Sequence, residues 1–314
     1  MVRHNEHSTP SHRGGAVSTR DEKRGVSRRT FLYEMAAIGM STSLMSACTS
    51  ALSRGSTPSR VNHIGLQLYT VRDLLEKDFD GTLAQVARIG YTNLEFAGYY
   101  NRTPEQVRAI LDRLSLVSTS SHTGAQLMRQ DAAAQIRSAK VVGQEYITLP
   151  SYPFPRDGGI DAWKRGAAEF NQWGAMCRDA GIRLAYHNHS AEFAKLDGGP
   201  TGFDVLMRET DPALVDFELD LYWAVFAEQD PNALFAKYPG RFAMWHVKDM
   251  QVTQGAKGMT PVGRGMLDFR SYFAHGGEAG MKHFFVEHDT AASYPGGSLA
   301  SIQASYSYLH EILA

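Results

Sequence analysis

The fold of this 314-residue chain is indicated most clearly by one helix-to-strand junction, residues 162–189, which read AWKRGAAEFNQWGAMCRDAGIRLAYHNH. Residues 162–180 are a predicted helix, and Gly181 is a typical residue after a helix end. The run from Arg183 to His189 follows at once as a predicted strand. A helix that leads directly into a buried strand is typical of parallel sheets whose strands are joined by helices.

The same alternation of strand and helix continues on both sides of this junction. Seven further strands are predicted at residues 63–69, 93–96, 116–122, 146–149, 214–220, 242–247 and 283–287, and helices at 82–89, from Thr103-Pro104 onward and at 298–313. Eight strands with helices between them in about 250 residues are what a single (β/α)₈ TIM barrel requires. An open doubly wound sheet is the alternative, but no glycine-rich phosphate turn follows the first strand. We therefore predict an α/β protein, with one TIM barrel over residues 61–314.

Composition excludes several other classes of protein. With 43% hydrophobic, 11% aromatic and 21% charged residues, the chain is not low-complexity or disordered. Its 32 basic and 33 acidic residues give a net charge of −1, whereas a dedicated nucleic-acid binder is usually strongly basic. Two cysteines make neither a disulfide scaffold nor a Cys-rich zinc site.

The first 48 residues form a predicted export signal rather than part of the barrel. Residues 1–30 are basic, and 31–47 are mildly apolar with Glu34 as the only charge, which is too short a run for a permanent membrane helix. Residues 27–32, SRRTFL, resemble a twin-arginine (Tat) signal, and residues 44–48, LMSAC, resemble a lipobox that makes Cys48 a lipid anchor. We expect a disordered N-terminus, a linker at 49–60, and a periplasmic protein that is either free or held at the membrane as a lipoprotein.

Polar side chains gather at the predicted strand ends. They are Gln67, Glu95, His122, His187, His189, Asp220, His246 and Glu287. In a TIM barrel these ends form the active-site mouth. The last three strands end near Asp220, His246 and Glu287, and neighbouring strands lie about 5 Å apart, so these side chains are expected to share one cation. Mixed carboxylate and imidazole ligands suit Mn²⁺, Co²⁺, Zn²⁺ or Fe²⁺.

The fourth ligand is expected from the fifth strand. His187 is the candidate, and His189 lies on the same face because side chains alternate along a strand. Either histidine could instead orient a ligand from behind. Glu192 is a second candidate, as a carboxylate ligand or as a catalytic base.

The ordered motifs in this part of the chain resemble a known family. They are YHNH at 186–189 with Glu192-Phe193, ELD at 218–220, HVKD at 246–249, VGRGMLDF at 262–269 and Val286-Glu287. Together they resemble the xylose-isomerase-like TIM barrels, often called sugar phosphate isomerases/epimerases. In the ketose-3-epimerase branch of that family the metal ligands are Glu, Asp, His and Glu on strands five to eight. Asp220, His246 and Glu287 match, but His187 stands where the strand-five Glu would be, a departure that resembles inosose-dehydratase-like members and lyases of 3-keto-sugars.

The candidate cation ligands and candidate bases together predict proton abstraction next to a carbonyl, through an enediolate that a divalent cation stabilises. Glu287 or Glu192 would take the proton and His189 would donate to an oxygen, while substrate contacts are expected from Gln67, Glu95, His122, Trp223 and Lys248. Reprotonation would make the protein a sugar isomerase or epimerase, and expulsion of a β-oxygen would make it a lyase or dehydratase.

Other classes of function stay open beside these. A non-catalytic sugar-binding lipoprotein is one, and a metal-dependent abasic-site nuclease is disfavoured by the charge. The expected partner is a small carbohydrate and not nucleic acid, and a homo-oligomer stays open.

Overall fold

The structure is a computed structural model, and it describes residues 63–155 and 158–314. The predicted signal at 1–48, with its lipobox at Cys48, and the linker at 49–60 lie outside the described residues. They stay predictions.

Eight parallel strands close into a barrel. Each pairs with the next along the chain, and the last pairs with the first, so the sheet has no edge. The strands are β1 (Gly65–Gln67), β2 (Asn93–Phe96), β3 (Val117–His122), β4 (Tyr146–Leu149), β5 (Arg183–His187), β6 (Val215–Asp220), β7 (Met244–Val247) and β10 (His283–Val286). The predicted TIM barrel is confirmed.

An antiparallel hairpin interrupts the alternation after β7. Its strands, β8 (Asp249–Thr253) and β9 (Ala256–Thr260), pair from Asp249 opposite Thr260 to Thr253 opposite Ala256. The sequence analysis did not predict it. Residues 251–257 are exposed on both faces, so this hairpin lacks the apolar alternation by which a half-buried strand is recognised.

Helices surround the barrel. They are α1 (Arg72–Leu75), α2 (Phe79–Ile89), α3 (Pro104–Leu114), α4 (Ala125–Val142), α5 (Gly159–Asp179), α6 (Gly202–Glu209), α7 (Leu221–Phe226), α8 (Pro231–Lys237), α9 (Phe269–Ala274), α10 (Gly276–Ala279) and α11 (Gly297–Leu313), with 3₁₀ turns at Leu68–Val71, Ala191–Phe193 and Ala291–Ser293. The predicted helix start at Thr103-Pro104 is confirmed, and Thr103 caps α3 in a capping box with Gln106. Within the described ranges, none of these helices is both long and apolar enough to cross a membrane.

Inward-facing side chains fill the barrel in layers, because every second residue of a strand points inward. The lower layer is apolar and contains Tyr146, Ala185, Met244 and Phe285. Two residues further along the same four strands come Thr148, His187, His246 and Glu287. One step along the strands therefore changes the interior from apolar to charged, at the C-terminal mouth where the candidate site lies.

Three predicted strand ends differ from the structure. The first strand ends at Gln67, not Tyr69, because the Gln67 side chain accepts a hydrogen bond from the Tyr69 backbone N–H and starts a 3₁₀ turn. The fifth strand ends at His187, which leaves His189 in the following loop, and the last strand ends one residue before Glu287. The apolar pattern of a strand does not show at which residue the strand ends and the loop at the mouth begins.

Candidate active site

The mouth of the barrel holds an unusual concentration of buried charge. Four carboxylates with little or no exposure, three histidines and one lysine meet there: Glu95, Glu218, Asp220, Glu287, His122, His187, His246 and Lys248. A fifth carboxylate, Asp289, is 28% exposed at its rim. Because a buried charge without a partner is very costly, so many carboxylates need positive charge among them.

Asp220, His246 and Glu287 come together as one candidate cation site. Their ligand atoms lie within 4.8 Å of one another. His246 Nδ1 is 2.6 Å from Glu287 Oε2 and 3.9 Å from Asp220 Oδ2. His187, the predicted fourth ligand, also faces the space between these atoms, since its Nε2 is 3.7 Å from Asp220 Oδ2. The arrangement matches the predicted ligand set, whose role in metal binding stays a prediction.

The donor atoms of this group fit a divalent cation. Asp220 Oδ1 caps α7 by accepting a hydrogen bond from the Trp223 backbone N–H (2.8 Å), while the fully buried Oδ2 accepts no hydrogen bond and faces the Lys248 ammonium at 3.0 Å. Asn188 holds Asp220 in place by accepting its backbone N–H (3.1 Å). One oxygen of Asp220 is therefore occupied and the other is presented to the shared point. Two oxygen and two nitrogen donors make a set that suits Zn²⁺, Mn²⁺, Co²⁺ or Fe²⁺.

A second group of potential ligands lies deeper: His122, His187, Glu218 and His246. It shares two histidines with the first group but uses their opposite ring nitrogens, since His187 Nδ1 and His246 Nε2 each lie 3.1 Å from Glu218 Oε2. A neutral imidazole carries its proton on one nitrogen and a lone pair on the other. A proton on His187 Nδ1 is donated to Glu218 Oε2 (3.1 Å), which leaves the lone pair of His187 Nε2 for a cation. On His246, Nε2 contacts Glu95 and Glu218, and Nδ1, which lies 2.6 Å from Glu287 Oε2, would hold a cation only without its proton. This is the usual carboxylate–histidine–metal arrangement, so the deeper group orients the upper one.

Glu95 contacts the same ring nitrogen of His246 as Glu218 does. Its Oε2 lies 2.6 Å from His246 Nε2 and accepts a hydrogen bond from Gln67 Nε2 (2.7 Å). Burial raises the pKa of Glu95, and the negative charge of Glu218 raises it further. Burial alone would lower the pKa of His246, but three surrounding glutamates raise it well above its usual value. A cation at this site therefore competes with the proton on His246.

Lys248 is the one buried ammonium among the described groups at this site. Its Nζ lies 2.6 Å from Glu287 Oε2, 3.0 Å from Asp220 Oδ2 and 3.2 Å from Asp289 Oδ1, and only 2% of its side chain is exposed. Burial alone would lower the pKa of Lys248, but these three carboxylates raise it well above its usual value. The ammonium is therefore a permanent positive charge beside the candidate cation site.

A cavity of about 420 Å³ opens above these groups, and its size falls in the range of about 300–1,000 Å³ that holds small ligands. Its lining is Tyr69, Ala97, His122, Pro150, His187, His189, Lys248, Glu287 and Asp289. Of the predicted substrate contacts, His122 and Lys248 line it. Gln67 and Glu95 are buried beneath it, and Trp223 lies behind His189, with 5.6 Å between the ring centroids.

Glu192 is placed away from the cavity. One carboxylate oxygen accepts the Tyr186 hydroxyl (2.7 Å) and the other accepts the backbone N–H of His189 (3.0 Å). Its contacts hold the loop that carries His189, whereas His189 itself lines the cavity. Burial, together with the nearby charge of Lys248, lowers the pKa of His189 to about 4, so its ring is neutral at pH 7.

Three residues of the site were missed by the sequence analysis. Glu218 lies two residues before Asp220 on the same face of β6, and this period-two spacing was a usable signal. Tyr69 lies in the 3₁₀ turn after β1 and Asp289 in the turn after β10, where spacing along a strand no longer fixes the direction of a side chain.

A barrel with a charged cavity at its C-terminal mouth is the architecture of an enzyme. The family model "Xylose isomerase-like TIM barrel" matches residues 83–306, and the chain belongs to this family. Inosose dehydratase of Lacticaseibacillus casei is 24% identical over 258 residues, which cover 70% of this chain and 86% of that protein.

Solved structures agree with the family assignment. A sugar phosphate isomerase/epimerase from Parabacteroides distasonis superposes with a TM-score of 0.67 and 27% identity, covering 84% of this chain and 97% of that one. The IolI protein with a bound zinc atom shares the fold, with a TM-score of 0.62 at 11% identity over 80% of this chain and 98% of that one.

Proposed function

We propose that this protein is a divalent-metal-dependent enzyme that abstracts a proton next to the carbonyl of a sugar. The observation that carries the proposal is the convergence of Asp220, His246 and Glu287 beside Lys248 under a ligand-sized cavity. An enzyme that acts on carbohydrate is supported by the similarity to proteins named isomerase/epimerase and dehydratase.

The cation would be held by His187 Nε2, Asp220 Oδ2, His246 Nδ1 and Glu287 Oε2. When bound, it would polarise the sugar carbonyl and lower the cost of an enediolate. Glu287 lines the cavity and is our choice for the proton acceptor, since both oxygens of Glu192 are already engaged. Lys248 would face the negative charge that develops on the substrate oxygen, and His189, which also lines the cavity, would donate a hydrogen bond to the substrate.

The fate of the enediolate separates two candidate activities. Reprotonation on carbon gives an isomerase or epimerase. Elimination of a β-oxygen gives a lyase or dehydratase, and one observation favours it: β5 supplies His187, whose Nδ1 is tied to Glu218 (3.1 Å). An imidazole held in this way does not offer the second carboxylate base that the epimerase branch places at this strand.

Proton exchange tests the proposal directly. Purified protein is stripped of metal, reloaded with Mn²⁺, Co²⁺, Zn²⁺ or Fe²⁺, and incubated in D₂O with free ketoses and with 3-keto-glycosides. Deuterium on a sugar carbon without fragmentation supports an isomerase or epimerase, and release of the aglycone supports a lyase. Retained sugar binding with neither reaction contradicts the proposal and favours a non-catalytic sugar-binding protein.

A matched pair of variants separates the two candidate bases. Glu287→Gln should reduce exchange by at least about 100-fold, because it removes the proposed base and one proposed cation ligand together. Glu192→Gln should keep measurable exchange, because this carboxylate contacts only the Tyr186 hydroxyl and the His189 backbone. If Glu192→Gln is the inactive variant and Glu287→Gln the active one, the assignment of the base is wrong.

The export of the protein is proposed from its sequence. Arg28 and Arg29 would direct Tat export, and Cys48 would carry the lipid. Replacing both arginines with lysine should retain the protein in the cytoplasm, and Cys48→Ala should release it from the membrane fraction. Unchanged fractionation in both variants would contradict this part of the proposal.

A further inference from the structure

A second cavity continues from the one above the candidate cation site. It has a volume of about 260 Å³ and shares Tyr69 and Ala97 with the first. Its remaining lining comes from Arg72, Glu76, Gly98 and Tyr100, in the segments that follow β1 and β2. These two segments are neighbours around the mouth because β1 pairs with β2. The two cavities therefore adjoin at Tyr69 and Ala97, on the side of the mouth formed by the segments after β1 and β2.

Tyr69 stands at the junction of the two cavities and is held there. Its side chain is 42% exposed, and the Arg72 guanidinium lies 3.8 Å from the centre of its ring. Arg72 also donates hydrogen bonds to the backbone oxygens of Tyr69 (2.7 Å) and Asp289 (2.9 Å). An exposed aromatic ring stacked on a guanidinium that two hydrogen bonds hold in place offers a flat surface with little entropy to lose on binding.

The outer cavity is open and its walls are polar as well as aromatic. Gly98 has φ of +103°, and a Cβ built on it would meet no atom within 4 Å, so its side faces open space. Tyr100 and Asn101 beside it both have left-handed φ values, +51° and +63°, a conformation that non-glycine residues seldom adopt in succession. An arginine, a glutamate and two tyrosines around open space suit a ring that bears hydroxyl or other polar groups better than a lipid chain.

We propose that this outer cavity is a subsite for the second half of a two-part substrate. Its occupant is the sugar or aryl ring joined through a glycosidic oxygen to the keto-sugar that lies over the cation site. The proposal rests on the proposed function and deepens it, since it gives the substrate class as a glycoside rather than a free monosaccharide.

In this arrangement the elimination balances without any further reactant. Glu287 takes the proton from the carbon next to the carbonyl, and the electron pair of that C–H bond forms a carbon–carbon double bond. The bond from the adjacent carbon to the glycosidic oxygen breaks with its electron pair. The same proton then passes from Glu287 to the released oxygen, giving an unsaturated keto-sugar and an alcohol that leaves from the outer cavity.

Binding of unreactive glycosides tests the subsite apart from the chemistry. Methyl and 4-nitrophenyl D-glucosides, in both anomers, are titrated calorimetrically into Mn²⁺-loaded protein. For at least one anomer the 4-nitrophenyl glucoside should bind about tenfold more tightly than the methyl glucoside. Tyr69→Ala should reduce this ratio to near one, and Tyr69→Phe, which keeps the ring, should retain it. A ratio near one in the unaltered protein, or a ratio that Tyr69→Ala leaves unchanged, overturns the subsite.

The exchange experiment separates this proposal from the proposed function. Metal-dependent exchange on free 3-keto-glucose without any preference for the aryl glucoside overturns the subsite and leaves the proposed function standing. A Tyr69-dependent preference without exchange on any keto-sugar supports the subsite and overturns the proposed function.

Discussion

Lys248→Met removes the one buried ammonium of the described site and keeps most of the volume of the side chain. The ammonium contacts Glu287 (2.6 Å), Asp220 (3.0 Å) and Asp289 (3.2 Å), so its loss leaves buried carboxylates without their counter-charge. Breaking a buried ion pair of this kind costs about 3–5 kcal/mol. For a domain of this size the cost corresponds to a fall in Tm of roughly 6–20 °C in the metal-free protein.

Metal should reverse much of this loss. The variant keeps Asp220, His246 and Glu287, and it no longer has an ammonium that repels a second cation nearby. Binding at 100 times Kd stabilises a protein by about 2.7 kcal/mol, and tighter binding stabilises it more. Saturating Mn²⁺ should therefore raise the Tm of the variant more than that of the unaltered protein, although the variant should be inactive.

Thermal unfolding followed by circular dichroism, with and without Mn²⁺, measures both effects. Lys237→Met is the matched control, because Lys237 also contacts a carboxylate (Asp204, 2.7 Å) but is 57% exposed. Exposed ion pairs contribute about 0–1 kcal/mol, so the Tm of this control should change little. The charge balance argued for this site is wrong if Lys248→Met has the same Tm as the control without metal. It is also wrong if Mn²⁺ leaves the difference in Tm between Lys248→Met and the unaltered protein unchanged.

Three further outcomes are expected. Glu218→Gln should bind Mn²⁺ about 10–100-fold more weakly, since it loses a carboxylate behind two ligand histidines; unchanged affinity by calorimetry would count against that role. Burial raises the pKa of Asp220 to about 6, so Mn²⁺ affinity should rise as the pH increases through 6 and this carboxylate loses its proton, whereas a flat profile from pH 5 to 7 would refute it. Gly65→Ala should lower the free energy of unfolding, measured with denaturant, by about 1–3 kcal/mol, because the added Cβ would lie 2.4 Å from the Phe284 backbone oxygen where the barrel closes. Gly124→Ala is the control and should change the free energy of unfolding much less, because its Cβ would meet no atom within 4 Å.

The barrel was predictable because its strands are buried and carry a dense apolar signal that helices separate. The strands from β4 to β7 begin within two residues of their predicted first residues. The hairpin β8–β9 was not predictable in the same way, since an exposed ribbon has no buried face to pattern.

Parts of the candidate site followed from position alone. Asp220, His246 and Glu287 lie at the ends of adjacent strands, and the closure of the barrel brings such ends together. Whether a strand-end side chain lines the cavity or is buried below it was harder to predict. Gln67 and Glu95 lie at strand ends but are fully buried and do not line the cavity. Which nitrogen of His187 faces Asp220 depends on Glu218 behind it, a contact between strands that only the folded register provides.

The metal content of the purified protein is the decisive measurement. We predict one equivalent of a divalent cation per chain after reloading, measured by plasma mass spectrometry, and its loss in His246→Ala and in Asp220→Asn. If both variants retain a full equivalent, the cation is bound elsewhere. That result would contradict the ligand set on which the proposed chemistry depends.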